Sequence, residues 1–384
     1  MIINHVKERA QSMGRHRASP SVRFALKQVA ARLQSIAGKA CFWRWELTRL
    51  PAPAEAPGRV MYFGRSDKRA LAVELLGLEA GAGEGSPAGR HGVVWVSELP
   101  LPNSVRVPAY LRAVVPLGGS LEAIVAAYPE NLRRSLRRQR VACHTRPVTD
   151  EVEMERVDRE MLRPYALARH GASAAQVSAS AVQDIAKGRG RLTLVLCGTE
   201  EVGCHLGFPQ TRAGVRFWVS VRFGFPKAVF DDRKRLREIN SVNTYFEMEA
   251  AHRDGCAHYD IGDCLGRPDD GLLQWKSARG GHLDAALIHE HFYVLLPEQA
   301  APAMLWHAPI FGEKAGTLTL HLGLPEGRTD DQALARFREL RFSGMHKICL
   351  HCARAPGAPL VNAVRALCAR TPVSSVEVRL APQG

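Results

Sequence analysis

The chain has 384 residues, of which 46% are hydrophobic and 23% charged, and these values exclude an intrinsically disordered protein. Its length predicts two or three packed units. The formal net charge of +14 attracts phosphates, nucleic acid or anionic membranes, but it is equally typical of a genome that favours arginine codons, so the charge alone names no partner.

Nine cysteines lie at irregular spacing, which is not the pattern of a disulfide framework and indicates a reducing compartment. Residues 1–21 are polar and basic and lack the apolar segment of a secretory signal. No later run approaches the roughly 20 apolar residues that span a bilayer. We therefore expect a cytoplasmic protein without a transmembrane segment.

The first elements predicted along the chain are a basic arm at residues 1–20 and a helix at 21–38, where apolar residues recur at helical spacing. Two strands follow, at 60–64 and 92–99. Segments rich in Pro, Ala and Gly come before each strand, and the second of these, Gly81–Gly92, is predicted as a loop.

From Ala113 onward, strands and helices alternate irregularly, which predicts a mixed α/β fold with local meanders and not repeated βα units. A long helix is predicted within 231–255, with Gly255 just past its C-terminus. A further unit begins after about Pro297 and has helices at 330–342 and 358–370. The strand candidates are 111–117, 191–198, 202–209, 215–223, 257–262, 284–296, 317–324, 347–352 and 375–380.

Four segments follow one another along the chain in an order that is more specific than any one of them alone. They are an arginine-rich helix before a strand (128–148), a helix with its connection (157–175), two strands joined by a tight turn (191–208), and a segment that contains D-x-G, D-G-L, a lysine and a glycine-rich turn (252–281). Over residues 113–296 this order resembles the Fem-type branch, which includes peptidoglycan-bridge enzymes, of the GNAT superfamily of acyltransferases.

The resemblance implies a GNAT-like twisted mixed sheet, splayed between two central strands, with helices on both faces. We predict four parts: a basic arm and helix (1–45), a partial α/β half (46–112), the acyltransferase core (113–296) and a C-terminal α/β unit (297–384). In an alternative interpretation, the N-terminal part is a second, diverged GNAT-like half.

The donor site is expected where the central helix begins. The usual acetyl-CoA fingerprint, Arg/Gln-x-x-Gly-x-Gly/Ala, is absent, and the corresponding stretch reads AVFDDRKRLREINS. If it enters that helix, this stretch brings unpaired N–H groups and cations to the place of a phosphate. A solvated basic face is the alternative. The predicted cofactor-binding residues are Arg233, Lys234, Arg235, Arg237, Asn240 and Ser241.

Three residues are the catalytic candidates. Asp260 and Asp263 flank Gly262, where a carboxylate facing a cleft could orient an amine or accept its proton. For Asp263 a turn-capping role explains the pattern at least as well. Lys276 lies between apolar residues and a glycine turn, and the resemblance implies a role near the acyl or phosphate part of the donor. A lysine with a buried stem and a solvated amine is the alternative.

The arginine-rich helix around Leu132 and Leu136 is predicted to dock by its leucines and to present guanidinium groups outward. Such groups bind phosphate or carboxylate in a bidentate way. A solvated face is the competing interpretation. The predicted substrate-binding residues are Arg134, Arg137 and Arg138.

We expect no metal site. Segment 349–352 has the spacing of half a zinc site, but it reads as a strand, in which neighbouring side chains alternate between faces. Segment 289–291 places two histidines on one strand face, yet the sequence indicates no third ligand.

The leading hypothesis is an N-acyltransferase that moves an acyl group from acyl-CoA, or a carrier thioester, to an amine of a small molecule, sugar or peptide. Acyl-CoA would be a co-substrate, and no permanently bound cofactor is predicted. Fem-type enzymes take aminoacyl-tRNA, so tRNA is the alternative donor, but no long heptad-patterned helical pair follows Asp150. A non-catalytic binder of nucleic acid or membrane on a retired GNAT core is the third possibility.

Overall fold

The computed structural model describes residues 38–52, 59–78, 92–170, 179–284, 290–340, 342–368 and 375–382. Apart from Gly38 and Gly92, the predicted arm, the helix at 21–38 and the loop at 81–92 lie outside these residues. Strands and helices alternate through the described part of the chain, which confirms a mixed α/β fold.

The strands and helices have the following bounds. The strands are β1 (Trp45–Leu50), β2 (Arg59–Arg65), β3 (Val93–Ser97), β4 (Val105–Pro108), β5 (Tyr110–Pro116), β6 (Cys143–Val148), β7 (Arg191–Cys197), β8 (Glu200–Arg212), β9 (Val215–Gly224), β10 (His258–Leu265), β11 (His282–Asp284), β12 (His291–Leu295), β13 (Ile310–Lys314), β14 (Thr317–Leu324), β15 (Lys347–Cys352) and β16 (Ser375–Leu380). The helices are α1 (Arg69–Leu75), α2 (Leu121–Ala126), α3 (Glu130–Ala142), α4 (Glu151–Val157), α5 (Arg163–His170), α6 (Ala179–Gly188), α7 (Lys227–Phe230), α8 (Arg233–Arg253), α9 (Gly271–Ser277), α10 (Ala301–His307), α11 (Asp330–Glu339) and α12 (Ala358–Cys368), with a π-helix at Asp158–Leu162.

The predicted strands coincide with observed ones, and within the segment 284–296 residues 285–289 are not described. The long predicted helix is α8, and Gly255 follows it with φ of 69°, the left-handed conformation that glycine adopts after a helix end. Strands β1, β4 and β13, and β11 apart from Asp284, are not predicted from the sequence. Each of them lies at the edge of its sheet.

The chain forms two compact units, whose boundary falls within β5 and β10. The described residues of the first unit are Val114–Gly262 and Ala278–Gly281. The second unit contains the described residues up to Ala113, Asp263–Ser277, and those from His282 onward. The four-part division predicted from the sequence stays a prediction.

The first unit is built on a mixed sheet in which the strands follow the order β5-β10-β9-β8-β7-β6. β9 and β10 are parallel, whereas β9, β8, β7 and β6 pair antiparallel. Apolar residues of α4, the π-helix and α6 cover one face through Leu192, Leu194 and Leu206. On the other face α8 packs through contacts such as the hydrogen bond between His205 and Asn243, so helices lie on both faces.

The second unit contains two sheets with separate cores. One has the order β1-β2-β3-β12-β4 and packs with α1 and α10 in a core that includes Tyr62, Leu75 and Phe292. The other has the order β13-β14-β15-β16, in which β14, β15 and β16 are parallel. Its core contains leucines from one face of β14, together with residues of α11 and α12.

Two sequence expectations about the environment of the protein can be compared with the structure. Cys143 and Cys197, directly opposite one another on β6 and β7, form a disulfide, which the irregular cysteine spacing did not predict. No helix among the described residues is long and apolar enough to cross a membrane. A cytoplasmic location stays a prediction.

Candidate active site in the first unit

The pairing between the parallel strands β9 and β10 is short. Registered pairs run only from His258 opposite Phe217 to Asp260 opposite Val219. β9 continues to Gly224, and there it remains paired with β8 on its other side. Among the described residues, the two central strands therefore separate after Val219 and Asp260. Where parallel strands separate, backbone N–H and C=O groups lose their ladder partners and pair with side chains, water or a ligand instead, as the N–H of Gly262 pairs with Asp260 Oδ1.

On the face toward α8, a buried carboxylate joins the helix to both strands. Glu247 accepts hydrogen bonds from Tyr259 Oη (2.6 Å), Ser220 Oγ (2.8 Å) and Trp218 Nε1 (3.0 Å). The residue is fully buried, and burial raises the pKa of its carboxyl to about 7, although the three donors act in the opposite direction. Gly207 allows this approach, because a Cβ there would lie 2.4 Å from Glu247 Oε1. We call Trp218, Ser220, Glu247 and Tyr259 the carboxylate cluster.

On the opposite face, Asp260 forms an ion pair with Arg212, at 2.7 Å between Oδ2 and NH1. Its Oδ1 accepts the N–H of Gly262 at 2.9 Å, and Gly262 has φ of 82°, which explains the D-x-G sequence as a turn that needs glycine. The Arg212 guanidinium also lies over the ring of Phe217. Asp260 is only 1% exposed, whereas the sequence predicted a carboxylate facing a cleft. Its catalytic role stays a prediction.

A second buried group surrounds the guanidinium of Arg279. Arg279 NH2 donates to Ser241 Oγ at 2.9 Å. Burial lowers the pKa of Arg279 to about 10, because the charged form of the guanidinium is destabilised away from water. The phenols of Tyr128 and Tyr259 are close enough to raise the pKa of the Arg279 guanidinium. An anion bound beside Arg279 would reduce the destabilisation of the charged form. We call Tyr128, Ser241, Tyr259 and Arg279 the arginine cluster.

The N-terminus of α8 differs from the expected phosphate site. The side chain of Asp232 caps the helix, with Oδ1 accepting the N–H groups of Lys234 (2.9 Å) and Arg235 (3.0 Å). These two N–H groups, predicted to be unpaired, are occupied by a carboxylate. The pKa of Asp232 is lowered, chiefly by the hydrogen bond from the Arg235 backbone.

The side chains of the predicted cofactor-binding residues separate into two sets. Arg233, Lys234 and Arg237 are exposed on the first two turns of α8, while Arg235 pairs with Glu200 at 2.6 Å. The second set lies further along α8 and is less exposed: Ser241 belongs to the arginine cluster, and Asn240 is its neighbour in the chain. The buried Oδ1 atom of Asn240 has no hydrogen-bond partner among the residues that the structure describes. The remaining predicted catalytic residues, Asp263 and Lys276, belong to the second unit.

In the second unit, Lys276 is 3% exposed and its Nζ donates to the carbonyl oxygen of Asp263 at 2.7 Å. The Asp263 carboxylate is 55% exposed and accepts two hydrogen bonds from the Arg112 guanidinium, at 2.8 and 3.2 Å. Lys276 thus holds the turn that follows β10, and its amine is buried, whereas the alternative interpretation from the sequence was a buried stem with a solvated amine. The catalytic roles of both residues stay predictions.

The arginine-rich helix α3 docks by the buried side chain of Leu136, as predicted. Arg137 is exposed, Arg134 pairs with Glu130 on the same helix, and Arg138 pairs with Glu238 of α8 at 2.7 Å. The predicted substrate-binding residues therefore lie on a surface of the first unit, where two of the three already have carboxylate partners.

Sequence reasoning missed Arg212, Glu247 and Arg279. Arg279 immediately precedes a glycine pair, and Glu247 stands between Phe246 and Met248 in a predicted helix. A charged residue on the buried face of a helix was the available signal for Glu247. Arg212 carried no comparable signal, because it precedes an ordinary hairpin turn.

No family model matches the sequence, and a comparison with curated proteins finds no match either. Similar solved structures include FemX, at 13% identity and a TM-score of 0.37, covering 67% of this chain and 90% of that one. They also include L-PGS from Bacillus licheniformis, at 11% identity and a TM-score of 0.34, covering 65% and 83%. A GCN5-related N-acetyltransferase from Anabaena variabilis is 10% identical, with a TM-score of 0.28 and coverage of 78% and 77%.

Proposed function

We propose that the first unit transfers an acyl group from an activated donor to an amine. The observation that carries this proposal is the separation of β9 and β10 after Val219 and Asp260, with two buried polar clusters at the same point. Acyl transfer needs a bound carbonyl, an amine held in line and donors for the developing oxyanion. The Arg279 guanidinium, with the Tyr128 phenol beside it, and the backbone groups of the two strands at their separation are groups of this kind.

For the donor we propose an acyl-CoA or a carrier thioester. Since Asp232 occupies the helix N–H groups, the proposed phosphate contacts are the exposed side chains of Arg233, Lys234 and Arg237. Guanidinium and ammonium groups bind phosphate without help from a helix terminus. The acceptor is proposed to be an amine of a small molecule, a sugar or a peptide.

Thermal-shift titration with CoA, acetyl-CoA and longer acyl-CoAs tests the donor, because a specific ligand stabilises the folded state by mass action. The test variant carries Arg233→Ala with Lys234→Ala. The matched control is Arg253→Ala, at the exposed C-terminal end of the same helix. We expect saturable stabilisation of the wild type and the control, and weaker stabilisation of the test variant. No response to any CoA would contradict a CoA donor.

Aminoacyl-tRNA is the second candidate donor, favoured by one observation. α3 and α8 pack together through Arg138 and Glu238, and each carries exposed cations in the first unit. A polyanion larger than CoA could contact both helices. Exchanging Arg134, Arg137 and Arg138 for glutamine is then expected to reduce the slope of log affinity for tRNA against log salt by about 2 to 3. An unchanged slope would exclude these contacts, and tight tRNA binding without acyl transfer would favour the non-catalytic binder.

A further inference from the structure

Three metal-binding side chains converge on one face of the sheet β13-β14-β15-β16 in the second unit. His321 on β14 lies opposite Cys349 on β15 in the parallel register, and His351 is two residues further along β15. Side chains two residues apart on a strand point to the same face. The three side chains are nearly buried, with exposures of 6% (His321), 1% (Cys349) and 8% (His351).

The distances between the three ligand atoms suit a single ion. His321 Nδ1 and His351 Nε2 are 3.1 Å apart, and one ligand atom from each of the three residues lies within 4.8 Å of the others. In a tetrahedral zinc site with ordinary bond lengths, two nitrogens are about 3.3 Å apart, and a nitrogen and a sulfur are about 3.6 Å apart. Changes of about 1.2 Å or less in the distances between these atoms would therefore complete the geometry.

The ligand chemistry balances when a metal binds. A neutral imidazole offers one nitrogen lone pair to a metal, and a cysteine binds a metal as the thiolate. Metal binding at this group would therefore release the Cys349 thiol proton to solvent as the sulfur–metal bond forms.

The surroundings leave room for a further ligand. The three residues line a cavity of about 1160 Å³ within the second unit. Gly312 on β13 makes space for one ring, because a Cβ there would lie 2.6 Å from His321 Nε2. The cavity also presents Lys347, Glu377 and Arg379 from β15 and β16, and Glu377 pairs with both cations.

We propose that His321, Cys349 and His351 bind a zinc ion, with a fourth coordination position open to the cavity. One cysteine and two histidines are ligands that zinc prefers, and three protein ligands with one exchangeable position is the arrangement in which zinc binds a water or a substrate. The proposal is independent of acyl transfer in the first unit. It also reverses the expectation that segment 349–352 holds no metal. Cys349 and His351 lie on one face of β15, and the third ligand, His321, comes from the neighbouring strand β14.

The test uses the full chain without an affinity tag. Inductively coupled plasma mass spectrometry measures bound zinc, and competition with a chromophoric chelator measures its Kd. We expect about one zinc per chain, and an affinity loss of more than about 100-fold in His321→Ala, Cys349→Ser and His351→Ala. Cys352→Ser is the matched control: this buried cysteine of the same strand packs in the core on the other face, and its substitution should leave the affinity unchanged.

Cobalt substitution of the wild-type chain keeps the proposal falsifiable if the variants do not fold. A tetrahedral Co²⁺ site with one thiolate ligand is expected to give a sulfur-to-cobalt charge-transfer band in the near ultraviolet, together with visible ligand-field bands. Absence of stoichiometric zinc and of the charge-transfer band would overturn the proposal and leave a hydrogen-bonded histidine pair. An affinity that is equal in Cys349→Ser and the wild type would also overturn it.

Discussion

Individual buried charges of the first unit have consequences for stability that can be measured. Asp260→Asn removes one partner of the buried pair with Arg212, and such a change costs about 3 to 5 kcal/mol of the free energy of unfolding because the other charge stays buried. Asp263→Asn is the matched control, since its carboxylate is half exposed and its pair with Arg112 contributes about 1 kcal/mol or less.

Urea denaturation of both variants measures the difference. Equal losses in Asp260→Asn and Asp263→Asn would contradict the buried ion pair. If instead Asp260→Asn had the same urea midpoint of unfolding as the wild type but lost transfer activity, Asp260 would be catalytic, as the sequence predicted.

Glu247 should make the stability of the protein depend on pH. Its pKa is about 7 in the folded state against an ordinary value of 4.5, so the folded state binds more protons than the unfolded state between these values. Stability therefore falls as the pH rises through that window. We expect Glu247→Gln to show a smaller decline than the wild type in denaturation between pH 4.5 and 7. The control is Glu249→Gln, two positions along α8, and the prediction fails if the control and Glu247→Gln behave alike.

The roles of single residues were the least predictable part of the site. Ser241 and Arg279 are separated by 38 positions in the chain, and His321 and His351 by 30, so only the fold brings them together. Asp260 and Lys276 were predicted as catalytic residues; the structure shows both to be buried, and their catalytic roles stay predictions. Their hydrogen-bond partners come from other elements, and no local pattern indicates them.

Elements were more predictable than residues, for reasons visible in particular strands. β7 and β15 are mostly apolar because they are buried between neighbouring strands, and β14 alternates leucine with Thr, His and Gly because one of its faces packs in a core. β1, β4 and β13 lie at sheet edges, where one side of the strand meets no neighbouring strand and the pattern weakens. The sequence predicted the central strands and the edge strands β6 and β16, and missed the edge strands β1, β4 and β13 and most of β11.

The cap of α8 gives a prediction at the scale of the element. Asp232→Ala removes the acceptor for the Lys234 and Arg235 N–H groups, and should lower the free energy of unfolding. It also frees those groups for an anion. We expect inorganic phosphate to stabilise Asp232→Ala more than the wild type in a thermal-shift titration. Asp231→Ala, at the exposed neighbouring position, should respond to phosphate as the wild type does. Equal phosphate responses in the two variants would contradict the cap.

At the scale of the whole molecule, the two units present different chemistry. The first contains separated parallel strands, a buried arginine and a basic surface, while the second contains a cavity with two histidines and a cysteine. The net charge of +14 suits an anionic donor but does not distinguish CoA from tRNA. Separate assays for acyl transfer and for zinc keep the two proposals independent.

The central claim is that the first unit catalyses acyl transfer to an amine, and amine-dependent consumption of the donor tests it most directly. The protein is incubated with acyl-CoAs or aminoacyl-tRNA and with pools of amino acids, amino sugars, polyamines and short peptides, and mass spectrometry detects the acylated amine. We predict product from at least one donor and pool, with turnover at least about tenfold lower in Arg279→Gln, since loss of one oxyanion donor costs that much or more. Absence of any acylated amine with every donor, from protein shown to be folded, would contradict the claim.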